Sequence, residues 1–493
     1  MIKQFERARP RPCSLEHKIL VIKSDKIEYS RLAIHMGNYF KNNTSTLVAS
    51  RLVYSVIDPH IERDTVRQAS LRLLPFLFLL YILCYLDRSN VSIAALQMNK
   101  ELKFSSATFG FGAGIFFLGY ALFEVPSNLI LARVGARRWL ARIAITWGLL
   151  ACAMIFVRTP TQFYTVRFLL GVAEAGFFPG VLYYLSQWFP MTYRARAISA
   201  IVIGIPLSGA LGGPLGGALL GLSGVGHLSG WQWLFLIEGL PPVLLGIAAL
   251  GYLTERPEDA RWLSGEQQRW LSHRLEQERQ QTGVVSISPL RALANPLVWV
   301  LTVPYFALYA VSLGYTLWAP ILVRDALGTS DAATGLIVGG IFLLSALAYP
   351  LAGLLSDRWD ERCGLAALAL VLDCAGCIGV ALFPHALLRV IALAFIPLST
   401  SLFMSPFWCL PTKFLKGTSA AAGIALISAI GSSGGFFGPS IIGFLKQRTG
   451  GDAGAFFGLA GLAFVGSVVL IGLRQLAVFQ PGRRVVPATY ESR

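Results

Sequence analysis

Charged residues are scarce in this chain of 493 residues. Asp, Glu, Lys and Arg together make up 14% of it, whereas 55% of the residues are hydrophobic and the mean hydropathy is +0.60. This composition excludes an ordinary soluble enzyme and is typical of a protein embedded in a membrane.

Histidine is scarce as well. The six histidines are scattered through tails and loops, at positions 17, 35, 60, 227, 273 and 385. A metal cluster or a nucleophile paired with a base needs such groups close together. We therefore expect no catalytic residue, no bound metal and no cofactor, and we do not expect an enzyme.

Acidic residues are fewer than basic ones, 26 against 42, which gives a formal net charge of +16. A nucleic-acid-binding protein could show this balance. The basic residues, however, lie in tails and in loops between apolar segments, as the positive-inside rule describes for membrane proteins. We expect a lipid bilayer as partner and no nucleic acid.

Twelve apolar segments are each long enough to cross a bilayer as a helix, which takes about 20 residues. Backbone amides inside a bilayer must be paired within the segment, so the chain is predicted to be an all-α membrane protein. Twelve crossings place both termini on one side, and the loop charges indicate the cytoplasm. The predicted spans are 71–96, 105–130, 139–157, 162–185, 196–221, 232–254, 297–322, 332–355, 364–383, 386–409, 418–445 and 454–477.

A polar segment divides the spans into two groups of six. We predict a six-helix half over residues 58–254, a cytoplasmic linker over 255–296 and a second six-helix half over 297–477. Residues 1–57 are predicted to be a disordered cytoplasmic extension and 478–493 a cytoplasmic tail. Whether residues 1–50 are translated in the native protein is not settled by the sequence.

The linker carries the pattern of a short amphipathic helix. Ser264 followed three residues later by Gln267 forms a capping box, which marks a helix start. Trp270, Leu271 and Leu275 then give the helix one apolar side. We expect it to lie along the cytoplasmic face.

The two halves repeat one another. Arg133 and Arg358 follow spans 2 and 8, and Pro214 and Pro439 lie in glycine-rich stretches of spans 5 and 11; each pair is separated by 225 residues. Transporters with two such halves bind substrate near the bilayer midplane, between the halves.

Four charged residues lie within predicted spans of the first half. Asp87 and Arg88 are adjacent in span 1, and Arg167 and Glu174 are two helical turns apart on one face of span 4. Ionised side chains at membrane depth cost roughly 2.5–3.5 kcal/mol each on insertion scales, so they usually mark a substrate or ion path. The residues predict a transporter with these groups around one cavity.

The chain resembles carriers of the major facilitator superfamily and, within it, the anion:cation symporter family of organic-anion permeases. The resemblance implies proton-driven uptake of carboxylates such as tartrate, phthalate, hydroxyphenylacetate or sugar acids. It departs from the superfamily at Ala132, where an acid is usual, and at Ser428, where an asparagine is expected. The motifs that carry the resemblance are Leu86–Asn90, Phe123–Asn128, Gly135–Trp139, Arg167 with Glu174–Gly180, Trp231–Gly239 and Gly434–Pro439.

The four charges predict a mechanism of symport by charge balance. Two arginines balance two carboxylates, so an added organic anion requires a proton on Asp87 or Glu174. Arg88 and Arg167 are predicted to bind the substrate carboxylate, because a guanidinium pairs both oxygens and stays charged. Asp87 and Glu174 are predicted to couple transport to protons, because a desolvated carboxyl can bind a proton near working pH.

The second half carries no matching charge, since Leu313, Ala392 and Ser399 stand 225 residues after Arg88, Arg167 and Glu174. It is therefore expected to recognise the body of the substrate. Ordinary helix packing is the alternative role of the aromatic side chains in this half. The predicted contacts are Tyr305, Tyr309, Trp408 and Ser428, with Tyr315, Trp318 and Phe407 as further candidates.

A third group of charges flanks the cytoplasmic ends of spans 2, 3, 8 and 9, and is predicted to form a conformational latch. Its members are Glu124, Arg133, Arg137, Arg138, Asp357, Arg358 and Arg362. Glu238, two turns into span 6, is expected to hold the extracellular end of that span, and Asp373 in span 9 has no partner that the sequence indicates.

A proton-coupled exporter of drugs or metabolites is the alternative function, because Gly209–Gly217 resembles the glycine-proline signature of antiporter span 5. Two arginines in the site argue against cationic drugs. The sequence therefore predicts a monomeric carrier in the bacterial inner membrane that imports a small organic anion with a proton; the particular carboxylate and the stoichiometry stay open.

Overall fold

The computed structural model describes residues 59–281, 295–359, 361–414 and 417–476. The described residues contain twelve spans that are long and apolar enough to cross a membrane, which confirms the predicted all-α class and the number of spans. They are His60–Glu101, Ser106–Leu131, Ala136–Phe156, Pro160–Ser186, Met191–Leu220, Gly230–Tyr252, Pro296–Leu327, Asp331–Pro350, Arg362–Leu382, Ala386–Trp408, Leu426–Thr449 and Ala453–Arg474.

Several spans are longer or less regular than the hydropathy predicts. Spans 4, 5 and 11 each consist of two α-helices, and span 3 ends in a 3₁₀ turn. The helices of the spans are Pro59–Glu101, Ser106–Val134, Ala136–Ala153 followed by Met154–Phe156, Pro160–Glu174 and Phe177–Ser186, Met191–Val202 and Gly204–Leu220, Gly230–Tyr252, Pro296–Leu327, Asp331–Trp359, Arg362–Leu382, Ala386–Trp408, Gly417–Ser432 and Gly434–Thr449, and Ala453–Arg474.

The extension predicted over residues 1–57, the tail over 478–493 and the middle of the linker lie outside the described residues. The exact limits of the two halves stay predictions.

The predicted linker helix is present as Gly265–Gln281. Its capping box is formed: the backbone nitrogen of Gln267 donates to Ser264 Oγ at 3.3 Å, and the backbone nitrogen of Ser264 donates to Gln267 Oε1 at 2.9 Å. Trp270, Leu271 and Leu275 are buried, as the apolar pattern predicts.

Packing between the two groups of six helices is concentrated in two pairs of spans, 2 with 11 and 5 with 8. Glycine permits the close approach at the second pair: a Cβ at Gly213 would overlap the backbone carbonyl of Gly335, and one at Gly339 would overlap the ring of Pro214. Small residues at helix crossings let backbones meet in this way.

The membrane side on which span 1 ends and span 2 begins is called here the Glu101 side, and the opposite side, on which span 2 ends, the Val134 side. On the Glu101 side, polar contacts join the two halves. Arg324 donates to the Leu96 carbonyl at 2.7 Å and forms an ion pair with Asp331 at 3.3 Å, while Gln97 donates to Asp331 at 2.9 Å. This side is therefore held closed.

On the Val134 side, the predicted latch stays a prediction, because the structure describes only some of its side chains. Arg133 and Arg138 are exposed, and no ion pair of Arg133, Arg137 or Arg138 occurs between side chains that the structure describes. The start of span 3 is instead held by Glu255, which accepts from the backbone nitrogens of residues 136 and 137. The side chains of Asp357 and Arg358 lie outside the description, and Arg362 is half-buried.

Candidate functional site

A cavity of about 180 Å³ lies between the two halves, bounded by spans 1, 2 and 5 on one side and spans 7, 8 and 10 on the other. Span 1 contributes Tyr85, Arg88 and Ser89 to its wall. Among the described lining residues, Arg88 alone carries a charge. The wall of the cavity is thus largely apolar and carries one positive charge.

Arg88 joins the cavity to a buried cluster of charges. Its Nε donates to Glu174 Oε1 at 2.5 Å, and its side chain is 17% exposed. The guanidinium also lies over the rings of Tyr85 and Tyr120, 4.9 and 4.8 Å from their centroids. The rings and the carboxylate fix the plane of the guanidinium. The bond to Glu174 uses Nε and does not involve the two Nη groups.

Glu174 is held by a break in span 4. It is the last residue of the helix Pro160–Glu174, and Gly176 takes a left-handed conformation with φ +83° before the next helix begins. A helix C-terminus repels negative charge. Glu174 is fully buried there, and it accepts from Cys84 Sγ and Arg88 Nε, while its Oε2 has no partner in the described part of the chain. Arg88 therefore supplies the compensating charge.

Asp87 and Arg167 lie in the same buried cluster, but they do not line the described cavity. Asp87 is 1% exposed and Arg167 is fully buried. Arg167 interacts electrostatically with both Asp87 and Glu174, and its Nη2 donates to the Ala113 carbonyl at 3.3 Å. The side chain of Arg167 is turned into the protein, and its direct contact with substrate stays a prediction.

The side chains predicted to contact substrate in the second half do not all line the described cavity. Tyr309 lines the cavity, whereas Tyr305, Trp408 and Ser428 are absent from its described wall. Tyr305 stacks on Phe407 at 5.3 Å, and Trp408 packs edge-on against both rings. These rings belong to the hydrophobic core of the second half. Tyr305 also interacts with Tyr85 and Tyr309 of the cavity wall. A substrate contact by Tyr305, Trp408 or Ser428 stays a prediction.

Hydroxyl groups that the sequence reasoning missed occupy the second-half wall instead. Ser345 and Ser401 share a hydrogen bond of 2.7 Å, and Thr400 Oγ1 donates to Ser312 Oγ at 3.1 Å. All four line the cavity, together with Thr316. Serine and threonine in helices commonly bond to their own backbone, so their position in the sequence carries no signal of this role.

The structure also locates Glu124 and Asp373, two other acidic residues that the sequence singles out. Glu124 lies near enough to Arg88 to interact electrostatically with it, which puts this member of the predicted latch close to the charge cluster. Asp373 is fully buried in span 9 near Ser399, away from the first-half cluster, and neither of its oxygens has a hydrogen-bond partner in the described residues.

Residues 77–439 match the family model of the Major Facilitator Superfamily. A protein of Agrobacterium vitis named "Putative tartrate transporter" is 44% identical over 432 residues, covering 87% of this chain and 99% of that protein. A quinolone resistance transporter of Acinetobacter baumannii is 40% identical over 415 residues, covering 84% of this chain and 94% of that protein.

Among solved structures, the crystal structure of a D-xylose–proton symporter superposes with a TM-score of 0.66 at 16% identity. The match covers 81% of this chain and 97% of the symporter. At this identity the likeness concerns the fold, and it agrees with two six-helix groups around a central cavity.

Proposed function

The chain belongs to the Major Facilitator Superfamily, and on that premise we propose that it carries a small organic carboxylate across the membrane together with a proton. It is a transporter and not an enzyme. The substrate is proposed to sit in the cavity between the halves, where it is reached from one side of the membrane at a time.

Arg88 is the observation that carries the proposal. It supplies the charge on the described cavity wall, and its Nη groups are not used by Glu174. A carboxylate bound to those two groups would form a bidentate pair in a site of low polarity, where such pairs are strongest. A cationic substrate would meet an uncompensated positive charge instead.

Charge balance supports coupling to a proton. Arg88 already neutralises Glu174 at 2.5 Å, so an incoming carboxylate adds a negative charge to a buried cluster. Taking up a proton on Glu174 or Asp87 removes that excess. Asp87 Oδ2 has no hydrogen-bond partner in the described residues and therefore offers a place for a proton. We assign proton coupling to these two carboxyls.

The hydroxyl groups of Ser312, Ser345, Thr400 and Ser401 support a substrate that itself carries hydroxyl or carbonyl groups. A site built to hydrogen-bond a substrate hydroxyl rejects analogues that lack it. The tartrate in the name of the Agrobacterium vitis relative is a dihydroxy dicarboxylate, which has the required chemistry. A hydroxy acid is thus favoured over an aromatic acid.

Export of a drug is the second candidate, because the Acinetobacter baumannii relative is named for quinolone resistance. The apolar part of the cavity wall, including Phe117, Leu317 and Phe342, would suit an aromatic compound. The volume of about 180 Å³ lies below the ~300–1,000 Å³ of pockets that hold drug-sized ligands.

The remaining assignments concern the membrane. We infer that the chain lies in the bacterial inner membrane with both termini and the Val134 side in the cytoplasm, because basic residues concentrate there. In this arrangement, the predicted latch would close the Val134 side after Arg324 separates from Leu96, and Asp331 from Gln97, on the Glu101 side. Arg167, Tyr305, Trp408 and Ser428 would reach substrate only in such another state.

Uptake into proteoliposomes tests the proposed function. Wild-type protein is expected to accumulate a labelled hydroxy acid when the outside is more acidic, and to stop when the pH gradient is collapsed. Matched acids without hydroxyl groups should be taken up more slowly. Expulsion of a quinolone with no uptake of any acid in the panel would favour the exporter and refute the proposal.

A further inference from the structure

A third buried carboxyl, that of Glu238, lies beside the charge cluster. Glu238 is in span 6 and is 4% exposed, and no described cation forms an ion pair with it. It lies close enough to Asp87 and to the Asn90 side chain to interact electrostatically with both. The sequence places Glu238 two turns into span 6, and the structure brings it next to a carboxyl of the site.

Asn90 connects the two carboxyls. It is 4% exposed, and its Nδ2 donates to Asp87 Oδ1 at 3.2 Å. Two nearby acceptors lack a donor in the described residues, Asn90 Oδ1 and Glu238 Oε2. An ionised carboxylate has no hydrogen to give, so ionised Glu238 leaves both atoms unsatisfied, and each such buried group costs roughly 1–3 kcal/mol. A proton on Glu238 supplies the missing donor.

The charge count points the same way. With Glu238 included, three carboxyls face the two guanidinium groups of Arg88 and Arg167, and Arg167 interacts with Asp87 and Glu174. Full ionisation would leave the buried cluster with one uncompensated negative charge, which is costly in a medium of low polarity. One proton restores neutrality, and Glu238 is the carboxyl without a cationic partner.

We propose that Glu238 is a proton-binding residue of the transporter, which holds a proton in the resting state and exchanges it with Asp87 beside Asn90. This inference rests on the proposed proton coupling and adds a site to it. In the exchange, the O–H bond of Glu238 breaks and one forms on Asp87, while the Glu238 carboxylate left behind accepts from the Asn90 amide. Glu238 then regains a proton from solvent.

The position of Glu238 supports the direction of this path. Trp231, near the start of span 6, donates to Glu101 at 2.8 Å, so span 6 begins on the Glu101 side. Glu238 lies eight residues from the start of span 6, or about 12 Å, whereas Asp87 lies fourteen residues from Glu101, or about 21 Å. A proton entering from the Glu101 side meets Glu238 first.

Other groups around Glu238 are few. Asp87 and the amide of Asn90 face it from span 1. Span 3 brings the thiol of Cys152, which contacts the Leu236 carbonyl at 4.0 Å and interacts with Asp87. Span 4 contributes Arg167, which interacts electrostatically with Asp87. The helix Gly204–Leu220 of span 5 contains no titratable residue. Asp87 is thus the natural exchange partner.

Two measurements on the full-length protein test the proposal. The first is infrared spectroscopy, in which the carbonyl stretch of a buried protonated carboxyl should decrease in E238Q and shift in Asn90→Leu. The second uses proteoliposomes with a pH gradient of one unit, where one coupled proton sustains about tenfold accumulation in an electroneutral cycle. E238Q should lose that accumulation yet retain exchange of labelled for unlabelled substrate.

Asp373→Asn is the matched control, because Asp373 is an equally buried carboxyl of the second half; it should accumulate substrate as the wild type does. Wild-type accumulation and an unchanged infrared band in E238Q would overturn the proposal. If E238Q fails to fold, wild-type behaviour of Asn90→Leu in both measurements would overturn it equally. Failure of the wild type to couple any acid to protons defeats the proposed function, while the infrared band still decides whether Glu238 holds a proton.

Discussion

At the scale of single residues, Arg88 combines an ion pair, contacts with aromatic rings and a position on the cavity wall. Its Nε donates to Glu174, and the two Nη atoms take no part in that bond. A lysine in its place would keep the charge, but it could not use separate nitrogen atoms for separate partners, since an ammonium has no planar fork. The geometry of arginine, more than its charge alone, would let this side chain bind the proposed substrate anion in addition to Glu174.

Substitution of Arg88 should therefore separate charge from geometry. We expect Arg88→Ala to abolish substrate binding, and Arg88→Lys to weaken it by about ten- to hundredfold through loss of a charge-assisted hydrogen bond. Titration calorimetry of purified variants measures both. Arg324→Lys, on the Glu101 side, is the matched control, and binding by Arg88→Ala at wild-type strength would contradict the assignment.

The two carboxyls assigned to proton coupling should differ when they are neutralised. In Glu174→Gln, Arg88 loses its buried anion and should hold the substrate more tightly, whereas Asp87→Asn leaves the Arg88 ion pair intact. Both variants should exchange substrate but fail to accumulate it against a gradient. Tracer exchange and gradient-driven uptake in the same vesicles measure these properties, and undiminished accumulation by both variants would defeat the coupling assignment.

Only part of the site can be read from residue types. Asp87, Arg88, Arg167 and Glu174 stand out because charge inside an apolar segment is costly, and the structure gathers these four into one cluster. Tyr305 and Trp408 do not line the described cavity. The sequence does not reveal this, because no periodic signal in a span distinguishes an aromatic residue of the core from one that lines a cavity. The direction of each side chain depends on helix rotation, which tertiary packing sets.

At the scale of helices, the breaks and close contacts decide how spans meet. Hydropathy predicts the twelve spans because about 20 apolar residues are needed to cross a bilayer. It does not predict that span 4 breaks after Glu174, where Gly176 adopts φ +83°. Nor does it reveal that Glu238 of span 6 faces Asn90 of span 1. Such contacts depend on the pairing of distant segments.

Neighbouring glycines of span 8 allow a direct test of helix contact. A Cβ at Gly339 would overlap Pro214 and the Ala210 carbonyl of span 5, whereas one at Gly340 would meet nothing within 4 Å. Gly339→Val should prevent closure on the Glu101 side at a cost of about 1–3 kcal/mol and reduce transport at least about fivefold. Gly340→Val should transport as the wild type does, and equal rates of uptake for the two variants would contradict this packing.

At the scale of the whole molecule, the structure is closed on the Glu101 side, and alternating access requires that side to open. Gln97 of the first half donates to Asp331, and Arg324 donates to the Leu96 carbonyl, so two hydrogen bonds cross between the halves. Arg324 and Asp331 pair with one another within the second half. The Arg324–Asp331 pair is partly exposed, and pairs of this kind contribute about 0.2–1 kcal/mol. The closed state is therefore held by several modest contacts and by the glycine packing, so it can be released within a transport cycle.

Asp331→Asn replaces the charged acceptor of the Gln97 hydrogen bond between the halves by a neutral one, and should shift the population toward the state open on the Glu101 side by about 1.4- to fivefold. Distances between spin labels on the Glu101 ends of spans 5 and 8 would measure the shift. Asp325→Asn serves as control, because Asp325 pairs with Lys446 within the second half at 3.1 Å. A larger shift in Asp325→Asn than in Asp331→Asn would show that the closure is held elsewhere.

Proton uptake on substrate binding tests the central claim most directly. Calorimetric titration of the purified protein with a hydroxy acid, in two buffers of different ionisation enthalpy, gives the number of protons taken up per anion bound. Charge balance around Arg88 predicts about one proton per monoanion at a pH where the acid is ionised in solution. Saturable binding with no proton uptake, at any pH at which the protein is folded, would contradict the account.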